Sequence, residues 1–87
     1  MPEFHYDPKK SRSNLNKHGI DFEQAKLLWN DPNLATVSAR SEDEPRSLVI
    51  ARVADQLWSA IVTQRGNEIR ISSVRRSRTS EVGLYES

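Results

Sequence analysis

Five arginines crowd the last third of this 87-residue chain: Arg65, Arg70, Arg75, Arg76 and Arg78, with Glu68 the only acid between the first and the last. A guanidinium keeps its charge at every physiological pH and offers a planar fork of donors that fits phosphate oxygens in pairs. Set where a strand leads into a helix, such a run points to a polyanion, and first to RNA. RNA cleavage suits this inventory, because the substrate's own 2′-hydroxyl attacks the neighbouring phosphate and the protein needs no nucleophile. The protein must hold the backbone in line, stabilise charge on the phosphoryl oxygens and manage two protons. Glu44 and His18 are the candidate proton acceptors, and His18 and Tyr85 the candidate donors. Arginine is a poor base, since its pKa lies far above neutrality.

Other chemistries lack their parts. The three glycines make no phosphate-cradling loop, and the absence of cysteine removes disulfides and thiolate metal sites. His5 and His18 lack metal-ligand spacing, so neither a metal nor a cofactor is expected. Nothing marks a serine as an activated nucleophile. Each candidate also has a plainer reading. Arg65 is equally an exposed turn residue, and Arg70 a surface residue on the strand face opposite Ile69 and Ile71. Glu44 and Arg46 are equally an ion pair, His18 a favourable charge at a helix end, and Tyr85 a packing ring. Arg75 and Arg76, adjacent at a strand-to-helix junction, have the weakest structural excuse.

Net charge is only +1, but it is segregated. Lys9, Lys10, Arg12, Lys17 and His18 follow one another without an acid, the middle holds Asp21, Glu23, Asp31 and Glu42-Asp43-Glu44, and the C-terminal third is basic again. Such segregation creates a local positive field without a large net charge. No window approaches the ~20 apolar residues of a membrane span, and the N-terminus has no apolar run of the signal-peptide kind. A cytoplasmic protein without membrane contact is expected.

The elements that must position these residues follow from local signals. Phe4 to Tyr6 is a possible short strand. Asp7-Pro8 is an N-cap followed by proline at the first helical position, which starts a helix over 8–18 that ends at Gly19. Its only large apolar residue is Leu15, so it should lie on the surface. Asp21 with Gln24 forms a capping box, and Phe22, Ala25, Leu28 and Trp29 share one helical face. From Leu34 the period changes to two. Strands are expected over 34–39, 46–53, 57–64 and 68–74, with an acidic loop over 40–45 and tight turns at Ala54-Asp55-Gln56 and Arg65-Gly66-Asn67. Ser77 is the expected cap of a short final helix. The whole is one α+β domain over 1–87: two N-terminal helices packed on a mainly antiparallel sheet of about four strands, with a short C-terminal helix.

Taken together, these residues resemble the BrnT toxins. The resemblance rests on Phe4-x-Tyr6-Asp7-Pro8-x-Lys10, Asn14-x-x-Lys17-His18-Gly19-Ile20-x-Phe22, Glu44-x-Arg46, Arg65-Gly66-x-x-Ile69-Arg70-Ile71-Ser72-Ser73-x-Arg75 and Glu81-x-x-x-Tyr85. Ala51 stands where the family usually has glycine. The resemblance implies a RelE-like fold and a type II toxin, a metal-independent endoribonuclease that arrests growth or translation. It implies a BrnA-like ribbon-helix-helix antitoxin, a toxin–antitoxin heterotetramer, and contact with operator DNA only through the antitoxin. By position it carries over Arg46, Arg65, Arg70, Arg75 and Arg76, with Glu44, as the active-site group. Within the whole candidate set, Arg65, Arg75, Arg76 and Glu44 are expected to be catalytic, and Arg46, Arg70, His18 and Tyr85 to contact RNA. The competing functions are a non-catalytic RNA- or DNA-binding module and a pure protein-interaction module, each using the same basic surface.

Overall fold

Asp7 opens the first helix as its residue type dictates. Its carboxylate accepts the Lys9 N–H at 2.9 Å, Pro8 takes the first helical position, and Gly19 closes the helix at φ 79 by donating its N–H to the Leu15 carbonyl. The computed structural model describes residues 2–39 and 46–87. In order they form β1 (Glu3–His5), α1 (Pro8–His18), α2 (Phe22–Ala25) running into a 3₁₀ turn (Lys26–Asn30), β2 (Ala35–Ala39), β3 (Arg46–Val53), β4 (Gln56–Arg65), β5 (Glu68–Arg76) and α3 (Thr79–Glu86).

The architecture is α+β, with corrections to the expected plan. The sheet has five strands in the order β1-β5-β4-β3-β2, and it is mixed, because β1 runs parallel to β5 while the other neighbours are antiparallel. The second helix is one α-turn that tightens to 3₁₀. The reason lies in its spacing: Phe22, Ala25 and Leu28 recur every three residues, and three residues per turn bring all of them onto the core. The final helix is capped at Arg78 rather than Ser77. Ser77 is still part of the sheet edge, donating its N–H to the Leu57 carbonyl at 3.0 Å, and Glu81 reaches back to accept the Arg78 N–H at 2.8 Å.

The sheet has two unlike faces. One buries Val49, Ala60, Val62, Ile69, Ile71 and Val74 beneath Ile20, Phe22, Ala25 and Leu28. Burying a side chain such as Phe22 or Leu28 contributes about 1.5–3 kcal/mol. A bulge at Ser72 is needed for this pattern: Ile71 faces Val62 and Ser73 faces Ile61, so the extra residue lets Ile71 and Val74 both point inward.

Helix α1 joins that face by polar contacts. Ser11 and Asn14 are its buried residues, whereas Leu15 is exposed. The Ser11 hydroxyl accepts the Phe22 N–H at 2.9 Å. Asn14 closes the free edge of β5: its Nδ2 donates to the Val74 carbonyl at 2.8 Å and its Oδ1 accepts the Val74 N–H at 3.1 Å. A side-chain amide thus does what a neighbouring strand would do, beyond the point where three-residue β1 ends.

Candidate active site

On the second face the register arranges side chains in rows, since directly paired residues project to the same side. The first row runs His5, Arg70, Thr63, Arg46 across β1, β5, β4 and β3. Three strand spacings put its ends about 14 Å apart. His5, Arg70 and Arg46 are exposed, and Thr63 is buried between the two arginines. The second row is Ser73, Ile61, Leu48, Val37, all half-buried. The third is Arg75, Ser59, Ile50, Ala35, and α3 packs over it.

At the first row the sheet edge is hollowed. A depression of about 250 Å³ is lined by His5, Thr63, Arg65, Glu68 and Arg70. Arg65 and Glu68 flank the β4–β5 turn, where Gly66 takes φ 58, and their opposition in the ladder brings both to this edge. His5 Nε2 lies 3.8 Å from Glu68 Oε1. The depression therefore combines an imidazole, a carboxylate and two guanidiniums around a hydroxyl. These are the groups for moving protons at a ribose and a leaving oxygen while balancing phosphoryl charge. Glu3, His5 and Glu68 also present ligand atoms within 4.8 Å of one another, so among the described residues they are the set able to hold a metal ion. Linear spacing could not show it, because two strands supply it.

The third row is a different environment. Glu81 of α3 is buried and takes both Arg75 Nη groups, at 2.8 and 2.7 Å, together with the Ser59 hydroxyl at 2.9 Å and the Arg78 N–H. The Arg75 pair, more than the burial that opposes it, holds the Glu81 carboxyl down to about 2. Ser59 shares its hydroxyl with Ser77 at 2.8 Å. Farther along α3, Tyr85 donates to Asp31 Oδ2 at 2.7 Å, and that carboxylate also takes the Arg52 N–H at 2.8 Å and the Asn33 N–H at 2.9 Å. Burial alone would raise the Asp31 pKa, but these bonds lower it. The same bond to Asp31 raises that of Tyr85.

The expected site residues are thus distributed rather than gathered at one sheet end. Arg46, Arg65 and Arg70 share the first-row end. Arg75 lies two rows away, about 13 Å along the strand, engaged by Glu81. Arg76 is exposed at the same far end, opposite Trp58 on the helix-covered face. Tyr85 fastens α3 to Asp31. His18 lines a separate cleft between α1 and β5. Glu44 lies outside the described residues. Sequence reasoning missed His5, Thr63 and Glu68 as site residues. The available signal was the alternation Glu3-Phe4-His5: once Phe4 is committed to the core, where it meets Trp29 edge-on at 4.9 Å, His5 must face the other side.

Among the described residues no helix is long and apolar enough to cross a membrane. Residues 6–81 match the family model described as the ribonuclease toxin, BrnT, of a type II toxin-antitoxin system. No curated protein matches the chain.

Proposed function

This chain belongs to the BrnT family of type II toxin-antitoxin ribonuclease toxins, and from that premise we propose that it cleaves RNA at the row His5, Arg70, Thr63, Arg46. The observation that carries the proposal is the depression that puts His5 and Glu68 beside Arg65 and Arg70. Transesterification needs one group to take the 2′-hydroxyl proton and one to return a proton to the departing 5′-oxygen. His5 and Glu68 are the titratable pair within reach of both positions. Arg65 and Arg70 stabilise the charge that grows on the non-bridging oxygens, and Arg46 holds the strand on the far side of Thr63. We take the activity to be metal-independent, with His5 and Glu68 moving protons rather than holding an ion.

Arg75 has a second role in this reading. Paired to Glu81, it fixes α3 over the third row and so sets the inner wall of the open face. Arg76 remains an exposed phosphate contact at the far end. The family places the chain with an antitoxin and an RNA substrate. We take the antitoxin to be BrnA-like, forming a heterotetramer that reaches operator DNA through its ribbon-helix-helix domain and covers the same basic row. The mixed sheet under two N-terminal helices supports a RelE-like assignment, and the compartment is the cytoplasm.

The test is incubation of purified protein with single-stranded RNA in excess chelator. Fragments ending in 2′,3′-cyclic phosphate are expected. RNA bound but left intact would replace the enzyme with a binding module.

A further inference from the structure

Helix α1 carries a basic surface that the catalytic row does not use. Lys10, Asn14 and Lys17 follow at i, i+4 and i+7 and form one stripe of the helix. Asn14 fixes where that stripe lies through its two bonds to Val74, and it spends its remaining donor on the Ile20 carbonyl at 2.7 Å. It anchors the stripe and has no donor left for a ligand. Beside it runs a cleft of about 210 Å³, lined by Lys10, Ser13, Lys17 and His18 of the helix and by Ser72 and Ser73 of β5. No carboxylate lines this cleft, whereas Glu68 lines the catalytic depression and Asp21 and Glu23 line the cleft at the other side of α1.

The cleft and the catalytic depression both draw on β5. Ser73 is on the same sheet face as Arg70, one row farther along the sheet and about 7 Å away. Lys10 and Lys17 are separated by about 10 Å of helix rise, enough to meet different phosphates. The bulged Ser72 and its neighbour Ser73 are the β5 residues that line this cleft. The lining offers cations and hydroxyls but no large apolar side chain, so it suits a sugar–phosphate chain and gives a peptide's apolar anchors nothing to fill.

We propose that this α1–β5 cleft is a subsite for the backbone of single-stranded RNA flanking the cleaved bond, with Lys10 and Lys17 neutralising one phosphate each. The proposal rests on the ribonuclease reading for where the strand is cut, but it is tested by binding alone.

The probe is a fluorescent 2′-O-methyl RNA of about twelve nucleotides, which lacks the attacking hydroxyl and is not cleaved. Its affinity is measured over a salt series for the wild type, for Lys10→Gln/Lys17→Gln and for Lys10→Arg/Lys17→Arg. The slope of log K against log salt should fall in magnitude by about 1.4 in the glutamine variant, about 0.7 for each lost phosphate contact, and stay unchanged in the arginine variant. A trinucleotide probe should bind all three proteins alike. Equal slopes and affinities of wild type and glutamine variant for the long probe would overturn the subsite. So would equal losses on the short and long probes. A wild type that binds the probe with the expected slope but cuts no RNA would sink the ribonuclease reading and leave the subsite standing.

Discussion

His5 stands directly opposite Arg70 in the parallel pairing of β1 with β5, although the two lie at opposite ends of the chain. This pairing makes the N-terminal strand part of the candidate active site rather than a trailing edge. It also separates the arginines by function: those in register with His5 face open solvent, and those farther along β5 do not share its depression.

Arg70 and Arg75 should therefore respond differently to truncation. Arg70→Ala removes an exposed guanidinium, so stability should change by less than about 0.5 kcal/mol while the cleavage rate falls about 100-fold or more. Arg75→Ala strands the buried Glu81 carboxylate and should cost about 3–5 kcal/mol. Thermal unfolding alongside the cleavage assay checks both. An Arg75→Ala protein as stable as wild type would show that the Arg75–Glu81 pair does not hold α3.

Acid should loosen the fold through Glu81. Its folded pKa, about 2, lies below the unfolded value near 4.5. The contribution is present in full above about pH 4.5 and is lost as pH falls toward 2, and the difference corresponds to about 3 kcal/mol. Urea midpoints measured between neutrality and pH 2.5 should fall steeply for the wild type and less so for Glu81→Gln, which starts lower. Parallel curves for the two proteins would refute the assignment.

Asn14→Ala leaves the Val74 N–H and carbonyl without their edge partner. The expected loss is about 3 kcal/mol, or a fall in Tm of roughly 12–24 °C for a domain of this size. Leu15→Ala, one position along but exposed, should shift Tm by no more than a few degrees. Similar shifts in the two variants would mean that α1 is not held by its polar residues.

The β3–β4 turn contains a correctable strain. Ala54 and Asp55 take φ 50 and 65, both in the left-handed region, as a two-residue hairpin of this twist requires. Alanine is poorly suited to it. Ala54→Gly should stabilise by about 0.5–1 kcal/mol, the relieved strain exceeding the entropy that glycine adds to the unfolded chain. Differential scanning calorimetry reads the sign directly.

What the sequence disclosed was what short-range chemistry decides. Asp7-Pro8 and Gly19 bound α1 because capping is satisfied within four residues, and β3 runs from Arg46 to Val53 where the apolar-rich run placed it. The Asp21–Gln24 capping box forms as expected. Most of the misses involve contacts that exist only once separate elements pack together. A three-residue strand carries no period of its own, so the place of β1 beside β5 depends on Phe4 finding Trp29. The Arg75–Glu81 pair appears only once α3 folds back over β3. Arg65, Arg70 and Arg75 look like one run in the sequence, yet strand rise carries Arg75 two rows from Arg70.

The most direct test of the central claim is the cleavage rate of His5→Ala. Under single turnover with excess enzyme, in chelator and at neutral pH, the variant should keep the wild-type Tm and RNA affinity while losing about 10²–10⁴-fold in rate. A His5→Ala protein that cleaves RNA at the wild-type rate would contradict the account and move the chemistry away from the His5–Arg70 row.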